Sequence, residues 1–256
     1  MKHNFHTHTA RCLHAVGTDE SYVKAAIEGG FDVLGFADHA PWAFDSSYIS
    51  HCRMTSAQWP DYRRSVLTLK EKYAGQIDIR LGLECEYFPR YRDQLHRWRD
   101  DGCQYLILAS HFLFTEEEFP YTGHSCKQDD EVRRYAEQTV EGIATGLYCY
   151  VAHPDLYMMS RRELSPVCME AADMICQAAK EAGMPIEYNL LGLMDELSGR
   201  GRGYPSRPFW EHVRKWDNDV ILGVDAHDPA ALTNTRLWDE GVSRLKALGY
   251  RIVDSF

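Results

Sequence analysis

Seven short apolar runs recur along the 256-residue chain, and helix-like segments separate them. The runs are NFHTHT (4–9), VLGFADH (33–39), IRLGLECEY (79–87), QYLILASHFL (104–113), YCYVAHP (148–154), MPIEYNLLG (184–192) and VILGVDAH (220–227). Between them stand segments such as SYVKAAIEGG (21–30), DYRRSVLTLKEKYAG (61–75), DDEVRRYAEQTVEGIATG (129–146) and PVCMEAADMICQAAKEAG (166–183). Several of these end in glycine, a residue that readily closes a helix. Near-continuous apolar strands belong to sheets covered on both faces, and alternation with helices makes neighbouring strands parallel. Seven such strands predict an α/β fold, a closed or nearly closed barrel, and the length suits one large α/β domain or two small ones. A doubly wound open sheet is the structural alternative. No repeat, low-complexity tract or long linker divides the chain.

The ends of these strands carry the chemistry. The first run holds His6 and His8, with His14 in the loop after it; the second ends at Asp38-His39. The third carries Glu84 and Glu86, the fourth ends at His111, the fifth at His153, and the seventh at Asp225 and His227. The sixth ends at Asn189 and offers no candidate metal ligand. In α/β barrels the loops at the carboxyl ends of the strands build the active site. Twelve histidines scattered at random would rarely fall at five strand ends with a carboxylate at a sixth. A solvated surface cluster or a tag remnant would account for the first three histidines alone, but not for this distribution. His6 and His8 are two apart, and in a strand such residues face the same side, so their rings can converge on one ion. The pattern predicts a metal site at the carboxyl ends of the strands.

The formal charge of −10 argues against nucleic-acid polymers as partners. A small anionic substrate would need a local positive centre, which metal ions supply. The amino terminus has no apolar leader segment and no stretch is long enough to span a membrane, so the expectation is a cytoplasmic protein with no membrane partner. Eight scattered cysteines without a C-x-x-C pair read as reduced thiols.

H-x-H with a third histidine six residues on, followed by D-H, G-L-E, S-H-F, A-H-P-D and G-V-D-A-H in that order, resembles the PHP (polymerase and histidinol phosphatase) superfamily. The wording FADHAPW, GLECEY, SHFL and HPDLY is most similar to its histidinol-phosphate phosphatase branch. The resemblance implies a distorted (β/α)7 barrel, with residues 1–256 as a single domain, and three divalent transition metal ions: zinc, iron or manganese. It implies that His6 and His8 hold the first metal with Glu84 and Asp225, and that Glu84 bridges to a second metal held by His111 and His153. His14, His39 and His227 would hold the third. Glu84, Asp225 and His227 would also be the catalytic residues. The implied activity is metal-dependent hydrolysis of a small phosphate monoester, with L-histidinol phosphate, an intermediate of histidine biosynthesis, as the leading substrate. A nucleotide phosphoesterase or exonuclease is the alternative. A homo-oligomer is left open.

Imidazole suits zinc, iron and manganese, and a carboxylate can bridge two cations. Divalent ions neutralise phosphate charge and acidify water for attack in line at phosphorus. A structural zinc site would be closed by four ligands, whereas nine ligands over three ions leave room for water. Asp38 precedes His39 and so points to the opposite face, which suits a partner of a ligand or a helix cap. Glu86 lies farther out than Glu84 and is expected not to bridge. Arg161, Arg162, Arg200 and Arg202 are the candidates for a phosphate contact, with Asn189 as a further substrate-binding residue. The family branch often reads G-L-R after this asparagine; here the chain reads Gly192-Leu193-Met194. The acidic residues Asp45, Glu116, Glu117, Glu118 and Asp195 could receive a cationic substrate tail.

Overall fold

A computed structural model describes residues 1–161 and 163–256; Arg162, one of the expected phosphate contacts, lies outside the described residues. Among the described residues eight strands are formed: β1 (His3–Asn4), β2 (Val33–His39), β3 (Asp78–Cys85), β4 (Tyr105–Leu108), β5 (Tyr150–Val151), β6 (Ile186–Asn189), β7 (Asp219–Gly223) and β8 (Arg251–Ile252). The expected α/β alternation is present, with a two-residue eighth strand after the seven read from the sequence. The helices used below are α1 (Asp19–Glu28), α2 (Trp59–Lys72), α3 (Arg92–Asp100), α4 (Thr122–Ser125), α5 (Asp129–Ala144), α6 (Pro166–Glu181) and α7 (Leu190–Leu197).

The chain forms two compact units, each assembled from separate stretches. The first comprises Met1–Cys85, Pro89–Ile107 and Gly223–Arg236; the second comprises Glu86–Phe88, Leu108–Leu222 and Leu237–Phe256. In the first, β1, β2, β3 and β4 follow one another in sequence order. β2 pairs in parallel with β1 and with β3, from Val33 opposite Asp78 to His39 opposite Glu84. That register brings a histidine and a glutamate side by side at the carboxyl end of the ladder. Leu34, Phe36, Ile79, Leu81 and Leu83 are fully buried around it. Thr18 caps α1 by accepting from the Ser21 amide, and Asp19 and Glu20 lie in its first turn, where the helix dipole favours negative charge.

Tyr105 explains two glycines. Its hydroxyl reaches the carbonyls of Phe5 (2.8 Å) and Phe36 (3.0 Å). A β-carbon on Gly35 would meet the Tyr105 hydroxyl oxygen at 2.2 Å, and one on Gly82 would meet the ring at 2.3 Å. The ring lies across two strands and ties down the backbone immediately before His6.

The first run departs from expectation. The β1 ladder stops at Asn4, so His6 and His8 lie just beyond it. The Asn4 side chain interrupts the ladder: its amide donates to the His6 carbonyl (3.1 Å) and Thr7 Oγ1 (2.7 Å), and its oxygen accepts from Val224 N (2.8 Å). The segment still has ladder-like partners, because His8 N donates to Ala226 O (3.0 Å) and Ala37 N to Thr7 O (2.9 Å). The two imidazoles therefore keep the same-side placement that the spacing predicted, with ring centroids 5.2 Å apart.

In the second unit, β5 to β8 again follow sequence order. β5 pairs in parallel with β6 through Val151 and Ile186, and β7 with β8 through Asp219–Arg251 and Val220–Ile252. The long helices α5 and α6 pack on each other, burying Val132, Tyr135 and Ala136 of one and Ala171, Ala172 and Ile175 of the other. Among the described residues no helix is long and apolar enough to cross a membrane, and all eight cysteines are free.

Candidate metal centre

In the first unit the register of β2 on β3 and the return of the chain at Val224–His227 gather seven of the nine expected ligands. His6 Nε2 lies 3.3 Å from Glu84 Oε1 and 3.4 Å from Asp225 Oδ1. His8 Nε2 lies 3.0 Å from Asp225 Oδ1 and 3.5 Å from Glu84 Oε2. His39 Nδ1 is 2.8 Å from Glu84 Oε2. Three triads can each hold one ion, with ligand atoms within 4.8 Å of one another: His6–His8–Asp225, His8–His39–Glu84 and His14–His39–His227. They overlap at His8 and His39. Cys12 forms a further such group with His8 and His227. The sequence reading gave it no role; its only signal was its place two residues before His14.

A metal ion fits this donor set on hydrogen-bond grounds. His14 Nδ1 is 2.7 Å from the Cys12 carbonyl and His227 Nδ1 is 3.0 Å from the Asp225 carbonyl. A carbonyl only accepts, so each Nδ1 carries the hydrogen and each Nε2 of the neutral ring presents a lone pair. Those two Nε2 atoms face each other at 3.0 Å. Two lone pairs repel at that distance unless a cation lies between them, and two nitrogens bound to one tetrahedral zinc stand roughly 3.3 Å apart. A proton shared between the rings is the alternative cation, and the surroundings oppose it. Burial and the neighbouring His8 lower the pKa of His14 and bring that of His227 down to about 3.

Charge points the same way. Burial favours a neutral His8, but Asp225, Asp38 and Glu84 outweigh it and raise its pKa to about 9. Burial likewise opposes ionisation of Asp225, and the surrounding histidines overcome it and hold its pKa well below the usual carboxylate range. The group therefore demands positive charge, which divalent cations would supply.

Asp38 does what its parity suggested. Fully buried, it accepts from the His39 amide (2.8 Å) and the Thr9 amide (3.2 Å), bonds the Thr9 hydroxyl, and places Oδ1 3.5 Å from His8 Nδ1. It supports the imidazole from behind and leaves Nε2 toward Asp225 and Glu84. Asp225 itself has φ = 52°, the left-handed region in which a non-glycine residue carries strain. His153 (φ = 27°) shares that feature.

The second unit holds the other two expected ligands, His111 and His153, with ring centroids 5.0 Å apart. His111 Nδ1 lies 3.0 Å from Glu86 Oε1. The His153 amide donates to Glu187 Oε2 (3.0 Å). Glu187 was absent from the sequence reading because it lies inside an apolar strand with no motif around it.

The expected substrate contacts are already engaged with protein groups. Asn189 caps α7 by accepting from Gly192 N (3.0 Å), and its amide donates to Glu187 Oε2 (3.1 Å). Arg200 and Arg202 pair with the buried Asp195 at 3.1 and 2.5 Å. Arg161 pairs with Asp129 (2.6 Å) and bonds the Lys127 carbonyl. Of the acidic residues considered for a cationic tail, Asp45 pairs with Arg90 (3.0 Å) and Asp195 with the two arginines. These pairs direct the arginines to structural partners, a distribution that charge counting along the sequence could not resolve.

Comparisons with known proteins bear on the family and the fold. A histidinol-phosphatase of Bacillus subtilis is 28% identical over 260 residues, covering 89% of this chain and 94% of its own. A Deinococcus radiodurans protein named as a probable histidinol-phosphatase is 28% identical over 234 residues, covering 88% and 85%. The crystal structure of a Lactococcus lactis histidinol phosphate phosphatase, complexed with zinc, L-histidinol and phosphate, superposes with a TM-score of 0.72. It is 16% identical and covers all of this chain and 96% of its own, a likeness that shows the fold, a distorted α/β barrel. The profile of the PHP domain matches residues 4–190, a span containing His6, His8, His14, His39, Glu84, His111 and His153. By that match and the donor geometry inside it, the chain belongs to the PHP domain family.

Proposed function

We propose that this chain hydrolyses L-histidinol phosphate to L-histidinol and inorganic phosphate, with residues 1–256 acting as one catalytic domain. Three divalent metal ions would be held by His6, His8, His14, His39, Glu84, His111, His153, Asp225 and His227. The observation that carries the reading is the pair of Nε2 atoms of His14 and His227, 3.0 Å apart with both Nδ1 hydrogens directed to carbonyls. Divalent ions, when bound, supply the Lewis acidity and positive charge that phosphate ester hydrolysis requires. Glu84 and Asp225 place fixed negative charge beside His6 and His8 and so hold the cluster together. Asp38 and the Cys12 and Asp225 carbonyls orient the rings before substrate arrives, which is the preorganisation that makes electrostatic stabilisation effective. The relatives named as histidinol-phosphatases support the substrate. The reaction belongs to histidine biosynthesis, in the cytoplasm. The formal charge of −10 favours a small substrate with a cationic tail over a polyanion.

The test compares kcat/KM for histidinol phosphate, a simple alkyl phosphate and AMP in one buffer with one metal. Histidinol phosphate should lead by at least one decade, since each charged hydrogen bond to its tail is worth about 1.5–3 kcal/mol. Faster turnover of AMP would make the chain a nucleotide phosphoesterase instead.

A further inference from the structure

Glu86 is a fully buried carboxylate that forms no part of the expected ligand set. Its Oε1 lies 3.0 Å from His111 Nδ1. A carboxylate accepts and does not donate, so the hydrogen is on Nδ1 and the lone pair of the ring is on Nε2. The main chain at Glu86 is fixed as well, because the Tyr148 hydroxyl donates to its carbonyl (2.9 Å). The His111 ring is further confined by stacking on Tyr121, with centroids 6.0 Å apart. His14 and His227 reach the same tautomer through backbone carbonyls. His111 reaches it through a side chain that also carries charge.

We propose that Glu86 is a positioning residue that holds His111 as the Nδ1–H tautomer and aims its Nε2 at a metal ion. The inference rests on the assignment of His111 as a ligand made above. The physical ground is general: a carboxylate behind a ligating imidazole fixes its orientation and strengthens it as a donor, and removing such a partner typically costs 10–100-fold in metal affinity. Glutamine at this position could still accept from Nδ1–H through its carbonyl oxygen, whereas leucine could not.

The experiment uses the zinc-loaded protein with Glu86→Gln, Glu86→Leu and His111→Ala. Zinc affinity is read by chelator competition, and the ring proton of His111 by nitrogen-15 correlation spectra of histidine-labelled protein. The Leu variant should release zinc 10–100-fold more readily and lose the hydrogen-bonded Nδ1–H resonance. The Gln variant should keep that resonance and lose less than tenfold in affinity, with kcat falling more than KM changes. This graded response separates positioning from general structural damage. Unchanged zinc affinity in Glu86→Leu would overturn the proposal. Loss of a whole zinc equivalent in Glu86→Gln would also overturn it, by making Glu86 a ligand in its own right. A full zinc complement in His111→Ala would instead remove the ligand assignment on which the proposal stands.

Discussion

Removing the metal ions should make the folding stability of this chain fall as the pH rises from 6.5 to 9. The cause is His8, which is fully buried against Asp225, Asp38 and Glu84. Burial alone would lower its pKa, but the carboxylates outweigh burial and raise it from 6.5 to about 9. The folded chain thus holds this proton more tightly than the unfolded chain. The resulting stabilisation is complete below pH 6.5 and is lost as the pH passes about 9. The difference corresponds to about 3 kcal/mol. For a chain of this size that is about 6–12 °C in the thermal midpoint. His227 acts at the other end of the scale. Its folded pKa is about 3, so it lowers stability only below pH 6.5, where the unfolded ring takes up a proton. His14, also lowered, falls on the same side. Burial raises the Cys12 thiol to about 12, which lowers relative stability only above the ordinary thiol value of 9.0. Of these four groups, His8 is the one that acts between 6.5 and 9. The assay is scanning calorimetry of chelator-treated protein across that window, beside the metal-loaded protein. Bound divalent ions replace the proton as the neutralising charge, and their affinity improves as protons are withdrawn. The loaded protein should hold its midpoint or gain as the pH rises. A metal-free midpoint that stays flat or rises between pH 6.5 and 9 would refute the reasoning.

Two further outcomes follow from named contacts. Glu84→Gln removes a charge in contact with three histidines; elemental analysis should find more than two metals per chain in the parent protein and a loss of metal in the variant, with turnover reduced at least a hundredfold, and retention of both would end the bridging assignment. Gly82→Ala sets a β-carbon 2.3 Å from the Tyr105 ring and should cost about 1–3 kcal/mol by denaturant unfolding, whereas an unchanged midpoint would mean that the ring moves aside freely.

Where hydrophobic pattern and backbone hydrogen bonding agree, the fold is legible in the sequence. VLGFADH becomes β2 over the same residues, Val33–His39, and the helix-like segments at 129–146 and 166–183 become α5 and α6 with only their glycine-terminated ends trimmed. Agreement fails where a side chain competes with the ladder. NFHTHT has the pattern of a strand, but Asn4 bonds its own neighbours and ends β1 after two residues. YCYVAHP yields only Tyr150–Val151, since His153 turns into positive φ two residues after it. In MPIEYNLLG the asparagine reads as a strand residue with a polar end, yet its side chain starts a helix, and apolarity continues into α7 without marking the change. The helix α3 has little apolar pattern to mark it, being strongly charged: RDQLHRWRD buries only Gln94, Leu95 and Trp98.

The site divides along a similar line, between local and distant hydrogen-bond partners. His14 and His227 each turn Nδ1 onto the carbonyl two residues earlier, and both turns are made by a residue in the left-handed region: Leu13 (φ = 71°) before His14, and Asp225 (φ = 52°) before His227. Each contact spans three residues, so these two tautomers are set locally. His8 and His111 take their support from Asp38 and Glu86, residues brought near only by folding. No spacing rule links His8 to Asp38, since the loop and helix between them can change length while the strand register stays the same. The parity argument for Asp38 worked because the residue lies inside β2, where alternation is strict. Glu86 lies one residue past the end of β3 at Cys85, where strict alternation stops. The candidate ligands are therefore picked out by strand ends, whereas the groups that fix each imidazole's tautomer become visible only once the ladders and their termini are known.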